Sequence, residues 1–272
     1  MRERRMSNPA RVLGCVSIRS WEKNMLTRRA VLIGLAATPA VIGASRALAA
    51  LPGPDTLQTS TGDVAIQPLN HATLILSQGS HVFYFDPAKV DFSRRPPATA
   101  IFITHEHPDH FDPDNLGKIA GKAQIIVPQS VADKIPAALK GQVTVMKNGD
   151  TGTVDGIPVM AVPAYNTSPD KQQYHPKGRD NGYVLSFGDK KIYVAGDTEN
   201  TPEMAALTAI EIAFLPMNQP YTMTPEQAAD AIKAFKPKVV YPYHYKGADP
   251  QKLADLVGSA ADVRLRDWYA MP

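Results

Sequence analysis

The chain is nearly without cysteine: Cys15 is the single one in 272 residues. It falls in an N-terminal segment that does not resemble the remainder. Beyond it no disulfide, zinc–thiolate site or thiol nucleophile is possible. A metal site must then be built from His, carboxylate or amide ligands. Long apolar runs are missing too. The most apolar stretch spans Ala30 to Ala44, about 15 residues where a spanning helix needs about 20. A stable membrane span is not expected. There is also no G-x-S-x-G nucleophile elbow and no phosphate-binding G-x-x-x-x-G-K-[ST] loop, so serine-hydrolase and P-loop chemistry have no support.

An excess of one charge is absent as well, once the first segment is set apart. It holds nine of the 29 Lys/Arg and two of the 26 Asp/Glu, so residues 50–272 carry 20 bases and 24 acids. Bulk charge gives no case for nucleic-acid binding. The segment itself reads as an export signal. In LTRRAVLIGLAATPAVIGASRALAA, Arg28-Arg29 precede the apolar run, and small residues Ala47-Leu48-Ala49 follow it. That order is secretory, and TRRAVLI resembles a bacterial twin-arginine signal. The expectation is a leader over 1–49, cleaved after Ala49, with Met25 as its natural start. Residues 50–272 then form one exported, periplasmic domain that passes through the twin-arginine machinery.

Along that domain, strand and helix patterns come in two similar batches. Residues 63–87 are rich in β-branched and aromatic residues, broken at Asn70 and Gly79-Ser80, and predict consecutive antiparallel strands. TAIFIT (99–104) predicts a short buried strand. A helix near 113–120, a strand over 123–129, a helix over 130–141 and strands over 142–166 follow. The second batch has a hairpin over 182–198 turning at Gly188-Asp189 and a buried strand over 210–217. A helix over 224–237 opens with Thr224, Pro225 and Gln227 as a capping box. A strand over 238–245, a helix over 249–259 and a strand over 262–269 close the chain. Two sheets face to face with helices outside, a four-layer αββα sandwich, suit this order.

The chemistry concentrates in ITHEHPDHF (103–111). A buried strand ends at Thr104, so the next residues emerge at a sheet edge. In extended chain, residues two apart point the same way, which lets His105 and His107 reach one cation. Pro108 bends the path, and Asp109 and His110 then serve a second. Imidazole and carboxylate are ligands that zinc accepts.

This H-x-H-x-D-H pattern resembles the metallo-β-lactamase superfamily. FYFDP supplies Asp86, VAGDT supplies Asp197 and YPYHY supplies His244, in the family's order and each at a strand end. The resemblance implies the αββα fold and a binuclear site. In it Asp197 bridges both metals, His244 is the last histidine ligand and Asp86 supports the metal loop. AGDTENTPEM, YTMTPEQA and LNHAT are similar to segments of the branch holding L-ascorbate-6-phosphate lactonase and N-acyl-phosphatidylethanolamine phospholipase D. One position departs from the pattern. Where the family has a third histidine for the first metal, this chain has Asn166. An amide is the poorer zinc ligand. His175, nine residues on in a loop that Gly178 and Gly182 loosen, is the preferred replacement, with Asn166 the alternative. His71, Lys177 and Tyr221 are candidates for support or substrate contact.

The expected function is a metal-dependent hydrolase with two divalent ions, zinc before manganese or iron. A hydroxide bridging the ions would attack an ester, lactone or phosphodiester of a small molecule, with Asp109 orienting it or relaying a proton. Two other classes fit the same residues. One is an iron-dependent redox enzyme of the same fold. The other is a binding protein whose site has degenerated at Asn166.

Overall fold

The structure, a computed structural model, describes residues 55–269. The expected leader, its Arg28-Arg29 pair and the cleavage point after Ala49 lie outside the described residues.

Two seven-stranded mixed sheets are formed, and neither borrows a strand from the other's part of the chain. In the first, β1 (Asp55–Leu57), β2 (Val64–Asn70), β3 (Thr73–Gln78) and β4 (His81–Phe85) run antiparallel. Next, β5 (Ala100–Phe102), β6 (Gln124–Val127) and β7 (Val143–Val145) add parallel to β4. The second sheet repeats this plan. Its β8 (Thr151–Val154), β9 (Ile157–Ala164), β10 (Asp180–Phe187) and β11 (Lys190–Val194) are antiparallel. Then β12 (Ile210–Pro216), β13 (Val239–Tyr243) and β14 (Asp262–Val263) are parallel to β11. Of the parallel crossovers, that from β4 to β5 is irregular chain and the others carry helices. These are α1 (Pro113–Ile119), α2 (Gln129–Ala132), α3 (Pro202–Ala205), α4 (Pro225–Phe235) and α5 (Pro250–Val257).

The alternation of strand side chains makes the layers. In β4, Phe83 and Phe85 face the core between the sheets, while Val82 and Tyr84 face outward. In β12, Ile212 and Phe214 point into that same core, and Ala213 and Leu215 point away. The outward side of the first sheet is covered by Leu116 of α1 and Val131 of α2. That of the second is covered by Ala228, Ile232 and Phe235 of α4 and Leu253 of α5. Helix, sheet, sheet, helix is the metallo-β-lactamase sandwich that the sequence implied.

Some elements are shorter than their patterns. The helix expected over 130–141 is α2 plus a 3-10 segment, Ala137–Gln142. Pro136 removes a donor and disfavours helix at the residue before it. The strand expected over 262–269 ends at Val263, and the rest crosses to the site as irregular chain. The Thr224–Gln227 capping box of α4 is formed as read.

Candidate metal centre

The candidate residues leave the sheets at the ends of strands. Asp86 follows β4, His105 follows β5, Asp197 follows β11 and His244 follows β13. In open α/β sheets this carboxyl edge is where ligand sites gather. The backbone is bent hard there: His71, Asp86 and His244 have φ of 55°, 42° and 45°. Such left-handed geometry in non-glycine residues is costly and collects at functional sites. Gly196 has φ 66°, and a Cβ on it would meet Thr104 Cβ at 2.9 Å. The bare backbone lets the end of β11 close on the end of β5, bringing Asp197 to the histidines.

A buried carboxylate organises the first loop. Asp86 accepts from the backbone N–H of Thr104 at 2.7 Å, its hydroxyl at 2.7 Å and His110 Nδ1 at 2.7 Å. Thr104 Oγ1 gives its proton to Asp86, so it receives one from His105 Nδ1 at 3.0 Å. His105 Nε2 is then left with its lone pair. It sits 3.1 Å from His107 Nδ1, with the two rings edge to face.

Asn166 sets His175 by the same logic. Its amide nitrogen donates to the carbonyls of Lys171 at 3.0 Å and Tyr221 at 2.7 Å. Its Oδ1 is therefore the acceptor facing His175 Nδ1 at 3.2 Å. The proton on Nδ1 leaves the lone pair on Nε2, aimed at Asp197 Oδ2 from 3.4 Å. His105, His107 and His175 bring ligand atoms within 4.8 Å of one another, and so do His71, Asp109, His110 and His244. Asp197 stands between the groups. It lies 3.9 Å from His105 and 3.4 Å from each of His110, His175 and His244.

His71 joins this second group from the side. Tyr269 Oη accepts the amide proton of Lys246 and turns its own to His71 Nδ1, both at 3.1 Å. His71 Nε2 then donates to Asp109 Oδ2 at 3.0 Å, and its ring rests on His244 with centroids 3.7 Å apart.

Whether these residues suit a metal is decided by what they leave unsatisfied. His110 Nε2, His175 Nε2, Asp197 Oδ1 and both ring nitrogens of His244 are buried with no hydrogen-bond partner among the described residues. Buried polar atoms are almost always paired, so five such atoms around one carboxylate need a common partner. A cation fits: Asp197 offers lone pairs directly, and each neutral imidazole offers one from a single ring nitrogen, that of His110 once its Nε2 proton is displaced.

The electrostatics agree. Burial and the neighbouring His110 hold His105 well below its ordinary value, and burial beside His175 brings His107 down to about 4. Neutral imidazole is the ligating form. Burial also opposes charge on His110, but Asp197 and Asp86 outweigh it and raise it to about 9. Burial opposes charge on Asp197 and Asp109 too, and the surrounding histidines still keep both far below the usual carboxylate range.

Several sequence expectations change. Asn166 lies against His175, its Oδ1 3.2 Å from the ring Nδ1. Gly182 is not in the loop but inside β10, where a Cβ would meet Ala195 O at 2.5 Å. Lys177 does not reach the centre. It is 65% exposed and pairs with Glu203 at 3.0 Å and Tyr165 Oη at 3.2 Å. The lysines beside the centre are Lys89 and Lys246, which line a cleft of about 550 Å³ with His71, Asp109, Tyr221 and Tyr269. Each follows a centre residue by two or three positions, in FDPAK and HYK, a spacing that offered a signal. Glu199 was missed altogether. Fully buried, it accepts from the backbone of Thr167 and Ser168 at 2.9 and 2.6 Å, and from Lys171 Nζ at 3.2 Å. It pins the start of the loop that carries His175.

The chain is similar to known proteins in sequence and fold. The sequence model of the beta-lactamase superfamily domain matches residues 65–244. The chain is 32% identical over 220 residues to a UPF0173 metal-dependent hydrolase of Pyrococcus abyssi, covering 74% of this chain and 95% of that protein. A crystal structure from Parabacteroides distasonis, of a protein assigned as a metal-dependent hydrolase, superposes with a TM-score of 0.75. Its identity is 42%, with 80% of this chain and 99% of that one covered. Igni18, a metallo hydrolase of Ignicoccus hospitalis, superposes with a TM-score of 0.63 at 26% identity, over 75% of this chain and 94% of that one.

Proposed function

The chain belongs to the beta-lactamase superfamily and is a metal-dependent hydrolase, and on that premise we propose an exported enzyme that uses two divalent ions, zinc foremost, to cleave an ester, lactone or phosphodiester of a small molecule. The observation that carries the two-ion reading is the set of unpartnered buried ligand atoms around Asp197. His105, His107 and His175 would hold one ion and Asp109, His110 and His244 the other, with Asp197 shared. Bound there, the ions supply the charge that makes a water acidic near neutrality and offsets a developing oxyanion.

The chain's own groups do the positioning. Asp86 keeps His110 on its Nδ1–H and Asn166 keeps His175 on its Nδ1–H, so each offers Nε2. Asp197 is buried between the two histidine groups. Asp109 is 32% exposed and lines the cleft, and His71 fixes its Oδ2. It is the carboxylate placed to orient an attacking water or to take its proton. Asp197 stands where thiolate-bearing β-lactamases of this fold would need a cysteine, which favours substrates other than β-lactams.

The test is metal content after native purification, followed by turnover of 4-nitrophenyl esters, lactones and bis-4-nitrophenyl phosphate. About two zinc or manganese ions per chain with hydrolysis is the expected result. Iron with thiol or sulfide oxidation would replace this reading by the redox one, and no metal by the binding-protein one. Export has its own test. Changing Arg28 and Arg29 to lysine should leave unprocessed precursor in the cytoplasm, and normal processing would point to the general secretory route.

A further inference from the structure

The cleft beside the metal centre is cationic. Lys89 and Lys246 stand on its wall, contributed by the turn after β4 and the turn after β13. Both side chains are exposed, and neither ammonium meets a carboxylate among the described residues. The one acid of this wall is Asp109, already engaged by His71 and facing His244. A second cavity of about 670 Å³ shares Asn70 and Lys89 with the first and continues past Arg94 and Arg95. Its Asp91 is folded back on Ser93, whose N–H and hydroxyl it accepts at 2.8 and 2.9 Å. The groove leading from the centre therefore gathers four cationic side chains, although residues 50–272 as a whole carry more acids than bases.

A second observation singles out Lys89. Its φ is 55°, a conformation that lysine adopts at a cost and glycine without one. The other strained residues of this edge, His71, Asp86 and His244, all serve the centre. Lys89 shares their strain and lines their cleft. Tyr221 lines the cleft with the lysines, 41% exposed and braced edge to face by Tyr174 at 4.9 Å. It offers a flat apolar surface within the same cleft.

We propose that the substrate is anionic away from its scissile bond: a phosphate or carboxylate group is held between Lys89 and Lys246 while an apolar portion lies on Tyr221. The proposal rests on the hydrolase reading and narrows its substrate class. Charge-assisted contacts of this kind change affinity by about tenfold or more, and they weaken with salt because the lysines are exposed.

Two readouts test it separately from hydrolysis. The first is binding by calorimetry of phenyl phosphate, benzoate and benzyl alcohol to the metal-loaded protein. The double variant Lys89→Gln/Lys246→Gln, checked for unchanged metal content, should bind both anions at least about tenfold more weakly and the alcohol as before. Loss for phenyl phosphate alone would assign the group as phosphate, and loss for benzoate alone as carboxylate. Equal anion binding by variant and wild type would overturn the proposal. The second readout is kcat/KM for an uncharged 4-nitrophenyl ester against its carboxylate- and phosphate-bearing analogues. Wild type should prefer an anionic one, less so at high salt. Lys89→Glu/Lys246→Glu should reverse that order, while Lys233→Gln on α4 keeps it. Turnover that ignores substrate charge sinks the proposal and leaves the hydrolase standing. Binding that depends on the lysines without any turnover sinks the hydrolase reading instead.

Discussion

Asn166 presents its side-chain oxygen to Nδ1 of His175 at 3.2 Å, and the same residue's backbone N–H donates to the His175 carbonyl at 2.9 Å. The two residues are nine apart in sequence and are held as one unit. The amide gives the imidazole its tautomer and its aim. Removing the ring and removing its support should therefore differ. His175→Ala is expected to lower metal content from about two ions per chain toward one. Asn166→Ala should keep both at saturation but weaken the first by about 10–100-fold. Elemental analysis after identical dialysis separates them. Loss of an ion in Asn166→Ala alone would make the amide the ligand.

Asp197 and Asp86 invite a similar contrast. Asp197 faces four histidines within 3.9 Å, whereas Asp86 touches the centre through His110 and Thr104. Asp197→Ala should lose at least one ion outright. Asp86→Asn retains the volume but turns one acceptor into a donor, and should cost about 10–100-fold in metal affinity or activity. Full metal occupancy in Asp197→Ala would contradict a shared bridging role.

Glu199→Gln tests the anchor of the His175 loop. The buried carboxylate collects bonds from Thr167, Ser168, Lys171 and Gln227. Neutralising it leaves the mostly buried Lys171 without its counter-charge. A stability loss of about 1–3 kcal/mol is expected, read by urea unfolding of the metal-free protein. First-ion affinity should fall with it. Unchanged metal titration would show that the loop holds His175 without this carboxylate.

Protonation gives a further check. Without metal, His110 is raised to about 9, so at pH 7.5 it carries both ring protons. Asp86 keeps the one on Nδ1, and a cation must displace the one on Nε2. Metal uptake at pH 7.5 should then release a proton, and the release should fade as pH rises through about 9. Calorimetry in buffers of different ionisation enthalpy measures it. The sign for stability follows the same shift. His110 stabilises the metal-free fold below its unfolded value of about 6.5, and that contribution disappears as pH rises through about 9.

Much of this was readable in the residues. The β-branched and aromatic runs and the repeated strand–helix order gave the two sheets, and the chemistry after Thr104 announced itself by density of histidine. The preference for His175 over Asn166 came from the poorer ligation of an amide and from a loop that glycine loosens, and the structure puts His175 near His105 and His107. What escaped was contributed by distant chain. Glu199 sits in AGDTENTPEM, a stretch read only for its resemblance, and its loop partners are about 30 residues away. Tyr269 reaches His71 across 198 residues, from a terminal segment read as a strand over 262–269. Lys177 looked apt beside His175, but neighbouring residues of an irregular loop need not face the same way. The short helix after β6 failed for a local reason, Pro136.

The two sheets are each drawn from one continuous stretch of chain, while the candidate ligands are divided between them. His105, His107, Asp109 and His110 come from the first stretch, His175, Asp197 and His244 from the second. Each cation would thus be a rivet between halves, closing a loop of about 70 residues or more. Residues 50–272 contain no cysteine for a disulfide, so that rivet is the cross-link open to them. A nick in the connection between β7 and β8 would then leave two fragments, joined by the core between the sheets, whose association metal tightens and a chelator loosens.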